Sequence, residues 1–415
     1  MLPAAACRRK APRVKLGKCQ RRSPKLKGKE LLLTPGPVQV PWSVALAGAR
    51  PFPHHRSQDF NELLRSIDHK LKQVFRTEGT ILYFAASGTG AMEACMVNLM
   101  RPGEQAIVVA GGKFGERWDE LAQAFGIEAH VLAVPWGEAV RPEELAELLA
   151  QHPQARTVFT ALFETSTATA YDIEALAQVC RTAGALLVVD AISGLGAIPL
   201  ETDAWGVDVV VGASHKALQT PPGLSFVALS SERAWQQVER AGMASYYWDF
   251  RRAKEKLFFT PYTPAVSLLV QLNESLIGLL AEGLECIRAR YERYARATRA
   301  AAQALGLEVF SHRPGAVCTA LQMPPNVDAT QVVELLRERY GIWVAGGQQQ
   351  LKGQIIRIAH VGDITPQELI GTLGVLELVL RELGYSCRLG AGVAQALTVL
   401  EDAGPTPATA SDGGK

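Results

Sequence analysis

The runs LLVVD (186–190) and DVVVGASHK (208–216) decide the architecture. Each is apolar at consecutive positions rather than alternate ones, so both faces of the strand must be covered. That is the pattern of a parallel sheet lying between helical layers. Each run also delivers a group that is costly to bury, Asp190 at the end of the first and Lys216 just past the second. Outward from this pair lie further short apolar runs, ILYFA (81–85), AIVVA (106–110), TVFTAL (157–162) and SFVAL (225–229). Amphipathic stretches at 88–100, 142–151 and 173–183 separate several of them, and Phe60, Leu63, Leu64, Ile67, Leu71 and Val74 recur at helical spacing over 59–75. After about residue 265 the pattern changes to a long helical region (265–305). Short strands follow at LEVF (307–310), VCTALQM (317–323) and IIRIA (355–359), with helices near 329–340 and 366–384. The expectation is an α/β fold: a large domain over 31–265, including its lead-in segment, then a connecting helix and a smaller α+β domain over 266–385. Residues 1–30 read as a basic, disordered extension and 386–415 as a tail that is at least partly disordered.

With 415 residues, 48% hydrophobic and 20% charged, the chain has the composition of a globular protein large enough for two domains. No window approaches the roughly 18 consecutive apolar residues of a membrane helix, so no membrane association is expected, and the scattered cysteines make a reducing cytoplasm the expected compartment. The net charge of +2 hides an asymmetry. Eleven of the 43 basic residues fall in 1–29, leaving 32 against 41 acidic ones in the remainder. The body is therefore mildly acidic, and no nucleic-acid partner is expected for it. The seven cysteines are scattered, odd in number and never in a CxxC pair, which speaks against a disulfide framework, a metal site or an iron–sulfur cluster.

Open parallel sheets bind ligands at the carboxyl ends of their strands, and four polar groups fall at such ends. Ser87-Gly88-Thr89-Gly90 opens a helix whose free N–H groups suit a phosphate, although a plainly capped helix reads the same way. Asp190 needs a cationic or donor partner; a protonated pyridine nitrogen is one, an N-cap or a metal are others. Lys216 can lose its charge by desolvation and become a nucleophilic amine, against the commoner fate of a surface lysine. Glu164-Thr165-Ser166-Thr167 offers hydroxyls that either donate to an oxyanion or cap a turn.

Taken together these groups resemble the class V, fold-type I aminotransferases, in particular the alanine–glyoxylate and serine–pyruvate group. The resemblance runs from about Leu31 to Leu383. It rests on TPGP (34–37), SGTGAMEA (87–94), GGKFGERW (111–118), ETST (164–167), VDAISGLG (189–196), GASHKAL (212–218) with PPG (221–223), TPYTPAVS (260–267) and GGQQQLKGQIIRIAHVG (346–362). It implies a mostly parallel seven-stranded sheet in the large domain and pyridoxal 5'-phosphate as cofactor. Lys216 would be the lysine that bonds the cofactor and shuttles the proton, and Asp190 the partner of the ring nitrogen. Ser87, Gly88 and Thr89 would bind the phosphate, Phe114 would stack on the ring, and Thr165 would lie near the ring's 3'-oxygen. His215 stands where relatives carry Gln. Thr260 and Thr263 lie in a segment that relatives lend to a dimer partner's phosphate. Arg357 would bind the substrate carboxylate, a task that suits a planar guanidinium. His54 and His55 read as loop-packing residues.

The resemblance implies transamination between a small amino acid (alanine or serine type) and a 2-oxo acid (glyoxylate or pyruvate type), in a homodimer with shared active sites. Two alternatives compete. A cysteine desulfurase or other lyase on the same scaffold would need a mobile, exposed cysteine, which neither Cys318 nor Cys387 offers. A non-catalytic binder using the basic N-terminus would have no need of the Lys216–Asp190 pair.

Overall fold

The computed structural model describes residues 30–241 and 245–401, so the basic extension over 1–29 and the end of the tail lie outside the described residues. Seven strands form the main sheet: β1 (Thr80–Phe84), β2 (Gln105–Ala110), β3 (Glu128–Ala133), β4 (Thr157–Ala161), β5 (Leu186–Asp190), β6 (Val209–Ala213) and β7 (Ser225–Leu229). Their order is β1-β7-β6-β5-β4-β2-β3. Every neighbouring pair is parallel except the two made by β7, which runs antiparallel to both β1 and β6. The central strands β4, β5, β6 and β7 are buried at every position, as continuous apolar runs demand.

β3 was not among the expected strands. It is the sheet's edge, EAHVLA, with Glu128 and Val131 exposed, and an edge strand open to solvent lacks the continuous apolar signature.

Helices cover the sheet. α1 (Gln58–Phe75) buries Phe60, Leu64, Ile67, Leu71 and Val74; α2 (Gly88–Leu99), α3 (Lys113–Ala124), α4 (Pro142–Gln151) and α5 (Ile173–Thr182) connect the strands. The long helical region consists of two helices, α6 (Val266–Glu282) and α7 (Leu284–Ala304), interrupted at Gly283. A second, antiparallel sheet follows, made of β8 (Glu308–Val309), β9 (Cys318–Gln322), β10 (Ala345–Gly346) and β11 (Ile355–Ala359) in the order β8-β9-β11-β10. It packs with α8 (Ala329–Tyr340) and α9 (Pro366–Glu382) around Leu321, Val332, Ile356, Ile358 and Leu373. Leu31–Leu32 pairs in parallel with Ile342–Trp343, which ties the lead-in segment to the C-terminal part of the chain. Within the expected tail, Ala391–Glu401 forms a further helix, α10, packed on α7. No described helix is long and apolar enough to cross a membrane.

Candidate active site

Six strands of the main sheet, all but β7, present their carboxyl ends to one side. β5 ends on Asp190, and the chain leaving β6 reaches Lys216 three residues on, with Asp190 and Val211 paired across these neighbouring strands. Both side chains are buried. Burial pushes the Asp190 carboxyl up to about 7, against the pull of one hydrogen bond from the Ile192 N–H (2.8 Å) and the nearby Lys216 and Arg117 charges. Burial likewise pulls the Lys216 ammonium down to about 8, while Asp190 works in the opposite direction. The two groups thus act on each other, and each is short of partners. The amine lies against Gly36 of the TPGP motif: a Cβ placed there would come within 2.3 Å of Nζ, so only glycine leaves the amine its position.

Beyond β1, Ser87 is the N-cap of α2 but its hydroxyl makes no cap bond, leaving the helix start open. A Cβ on Gly88 would meet Ile192 at 2.4 Å, so glycine brings this turn against the Asp190 loop. Thr89 accepts a hydrogen bond from Arg117 Nη1 at 3.2 Å, and the Arg117 guanidinium lies 5.0 Å from the centre of the Phe114 ring. Phe114 stands in the first turn of α3, beyond β2. Beyond β4, Thr165 is buried and its hydroxyl donates to Ser193 Oγ at 2.6 Å. His215 is held neutral, its imidazole lowered to about 4 chiefly by burial, and its Nδ1 is buried without a hydrogen-bond partner.

Arg357, on β11 of the second sheet, reaches the same place. Its Nη1 donates to the Thr165 carbonyl (2.8 Å), and its Nε and Nη2 donate to the Gly346 carbonyl (3.2 and 2.7 Å). It is 5% exposed and has no carboxylate partner among the described residues. A buried guanidinium served only by carbonyl dipoles is a site waiting for an anion. Cys318 belongs here too. It lies across β9 and β11 on the face of Ala320 and Arg357, fully buried, and burial holds it as a thiol, pushed up to about 12.

Thr260 and Thr263 are not brought to Lys216 within one chain. The Thr260 hydroxyl bonds the Phe259 and Tyr262 carbonyls of its own loop, and Thr263 is exposed. Both line a small cavity with Tyr83, Phe84 and Ala85, at the strand end that leads to Ser87. The His54 and His55 rings lie tilted against each other, while Arg56 beside them donates to the Phe259 and Thr260 carbonyls. Gly36, Arg117, Ser193 and Cys318 went unassigned at the level of sequence. The first three lie inside the quoted motifs, but what they touch is set by other strands.

The Aminotransferase class-V family matches residues 47–360 of the chain. The chain belongs to the class V aminotransferases. Among its relatives, a protein named soluble hydrogenase, small subunit, from Synechococcus sp. is 38% identical over 91% of this chain and 100% of that protein. A serine–glyoxylate aminotransferase of Methylorubrum extorquens is 32% identical over 90% and 97%. The crystal structure of ureidoglycine–glyoxylate aminotransferase from Bacillus subtilis superposes with a TM-score of 0.86 at 25% identity, over 90% of this chain and 99% of that one. The protein is thus a transaminating enzyme with pyridoxal 5'-phosphate as cofactor. No group of three or more potential metal ligands occurs among the described residues.

The class V site fits that cofactor on four observations. Asp190 is a carboxyl short of a cationic donor, the start of α2 has no side-chain cap, His215 has an orphaned ring nitrogen, and burial makes the Lys216 amine easier to deprotonate than an ordinary lysine.

Proposed function

We propose that the enzyme transfers the amino group of a small amino acid, of alanine or serine type, to a 2-oxo acid of glyoxylate or pyruvate type. The observation that carries this reading is the convergence at one site of a buried amine whose proton is loosened by desolvation (Lys216), a partner-poor carboxyl (Asp190) and an acid-free buried guanidinium (Arg357). The glyoxylate enzymes among the relatives support the substrate class. In this reading Ser87, Gly88, Thr89 and His215 would hold the phosphate, Phe114 would cover the ring, Thr165 would offer its hydroxyl to the 3'-oxygen, and Lys216 would be the amine that bonds the cofactor. When bound, the cofactor supplies a carbonyl for amines and a ring that accepts the electrons of a breaking Cα–H bond.

Each remaining step belongs to the chain. Asp190, kept ionised by its new cationic neighbour, holds the proton on the ring nitrogen. Arg357 pairs with the substrate carboxylate in a two-pronged ion pair and fixes which bond at Cα faces the ring. The Lys216 amine would be the group that takes up and returns the Cα proton. Gly36 leaves room for that amine to move.

The enzyme acts as a homodimer in this reading, with Thr260 or Thr263 reaching the partner's phosphate. Exposed Trp42 (79%), Leu46, Phe52, Phe259 and Ile277 support such an interface. A large domain over 31–265 and a small one over 266–385 go with it, as does the cytoplasm, where the free thiols of the described cysteines are stable. The test is a panel of amino acids added to the loaded protein without acceptor, scored for conversion of bound cofactor to its amine form. Serine or alanine should convert it, and glyoxylate or pyruvate should reverse the change. Conversion by neither amino acid would overturn the substrate assignment.

A further inference from the structure

One fully buried carboxylate at the site has no task in the mechanism. Glu164 is 0% exposed, and its two oxygens accept four hydrogen bonds. Oε2 takes the backbone N–H groups of Phe114 (3.1 Å) and Gly115 (2.9 Å). Oε1 takes the N–H (3.0 Å) and the hydroxyl (2.5 Å) of Ser166. Every partner is a donor, so the ionised form fits and a protonated carboxyl would turn its O–H onto one of them.

Phe114 and Gly115 are the second and third residues of α3, the two positions whose N–H groups an N-cap side chain ordinarily binds. The N-cap here is Gly112, which has no side chain to offer. Glu164 does the capping from the end of a neighbouring strand, and Ser166 Oγ accepts from the remaining N–H, that of Lys113, at 3.0 Å. Gly112 is required for this arrangement, since a Cβ there would lie 2.5 Å from the Glu164 carboxyl carbon and 2.4 Å from Ser166 Oγ. The turn so anchored carries Phe114 and, three residues on, Arg117, which lies over the Phe114 ring and bonds Thr89 of the α2 start. An unbroken chain of contacts thus runs from Glu164 through the start of α3 to the aromatic ring and to the phosphate turn.

We infer that Glu164 is a positioning residue: its carboxylate sets the start of α3 so that Phe114 and Arg117 stand where the cofactor's ring and phosphate turn need them. This rests on the assignment of Phe114 and Thr89 to the cofactor made above. The charge adds a second effect, since Glu164 opposes the ionisation of Asp190 and favours that of Arg357.

The test uses the full chain and two readouts, cofactor affinity by absorbance titration of the cofactor-free protein and melting temperature by calorimetry. Glu164→Gln keeps one acceptor oxygen but turns an amide NH2 toward donors. It should weaken cofactor binding about 10-fold or more, because a shift of the order of 1 Å in a positioning group costs up to about 100-fold. The same change made in a Phe114→Leu/Arg117→Met background should cost almost nothing further, because Glu164 acts through those two side chains. Ser166→Ala, a milder loosening of the same clamp, should weaken binding less than Glu164→Gln and covers the case in which the glutamine variant does not fold. A lowered melting temperature with wild-type affinity, or a loss that adds in full to the double variant's, overturns the proposal. Failure of the unmodified chain to bind the cofactor would instead strike the reading of the site itself.

Discussion

Two aspartates flank the same pair of strands. Asp190 closes β5 at the carboxyl end of the sheet, and Asp208 precedes β6 at the opposite end; both are buried. Each has a cation nearby, Lys216 for the first and Arg233 for the second. Asp208 is fully served: it accepts from the Leu187 N–H (2.9 Å), from Ser231 Oγ (2.6 Å) and from Arg233 Nη2 (2.8 and 3.0 Å). Asp190 has one backbone donor, and its neighbouring amine, which makes no hydrogen bond to it, holds its own charge less firmly because of burial. A buried charge that its own chain satisfies holds the fold together, whereas one that the chain leaves short is held ready for a ligand. The difference lies in which end of the sheet each residue occupies, since strand ends of one sense carry the ligand site in open α/β sheets.

The largest effect should come from Lys216. Lys216→Ala removes the amine that both bonds the cofactor and moves the proton, so turnover should fall on the order of 10⁴-fold or more. Borohydride should no longer fix the cofactor covalently to the protein, since any aldehyde it reduces is then held without a bond to the chain. A variant that still forms a reducible bond with the cofactor would move the role to another amine and break the contrast between the two ends.

Next come the paired changes Asp190→Asn and Asp208→Asn, read by the same two measurements. Asp190→Asn should lower turnover about 10²–10⁴-fold, the range for losing a positioned proton-holding group, with no loss of folding stability in the cofactor-free protein. Asp208→Asn should do the reverse. It strips the Arg233 guanidinium of its ion pair and turns an NH2 toward N–H and O–H donors, costing roughly 2–3 kcal/mol of stability with turnover per folded molecule unchanged. Urea titration and steady-state rates on both variants decide the matter. Equal losses of activity would show that the two ends are not specialised.

The sheet was legible in the sequence where burial is complete, because strands covered on both faces must be apolar throughout; β4, β5, β6 and β7 read cleanly for that reason. β3 did not, since its edge position relaxes the constraint at Glu128 and Val131. α10 was missed for a different reason. Its start is held by a buried glutamate on α9, Glu377, whose Oε1 accepts from the Val393 N–H at 3.0 Å, and no local cap announces it. Glu164 escaped assignment in the same way. A cap supplied across fifty residues of sequence leaves only one unexplained glycine, Gly112, as its trace. Lys216 and Asp190, by contrast, stand out in any reading, because charges at the ends of apolar runs need a partner wherever they fall. Arg357 could be placed by resemblance, but the absence of a carboxylate beside it among the described residues is a fact of three dimensions.

The smallest effect, and the finest probe of the contrast, is the pH dependence of the cofactor-free protein's stability. The folded Asp190 carboxyl sits near 7, above the usual range for an unfolded aspartate of about 4. Above pH 7 both states are ionised and the folded state carries the whole cost of burying the charge. As pH falls through 7 the folded state takes up a proton that the unfolded state does not, so this group's contribution to stability improves down to about pH 4. Asn at 190 bears no such cost at any pH. The melting temperature of Asp190→Asn should therefore exceed that of the unmodified chain by on the order of a degree or two at pH 8. That gap should close progressively between pH 7 and about pH 4, and calorimetry across the range measures it. A gap that stays constant with pH would mean that Asp190 is already paired in the free protein, and the two ends of the sheet would then differ only in where they lie.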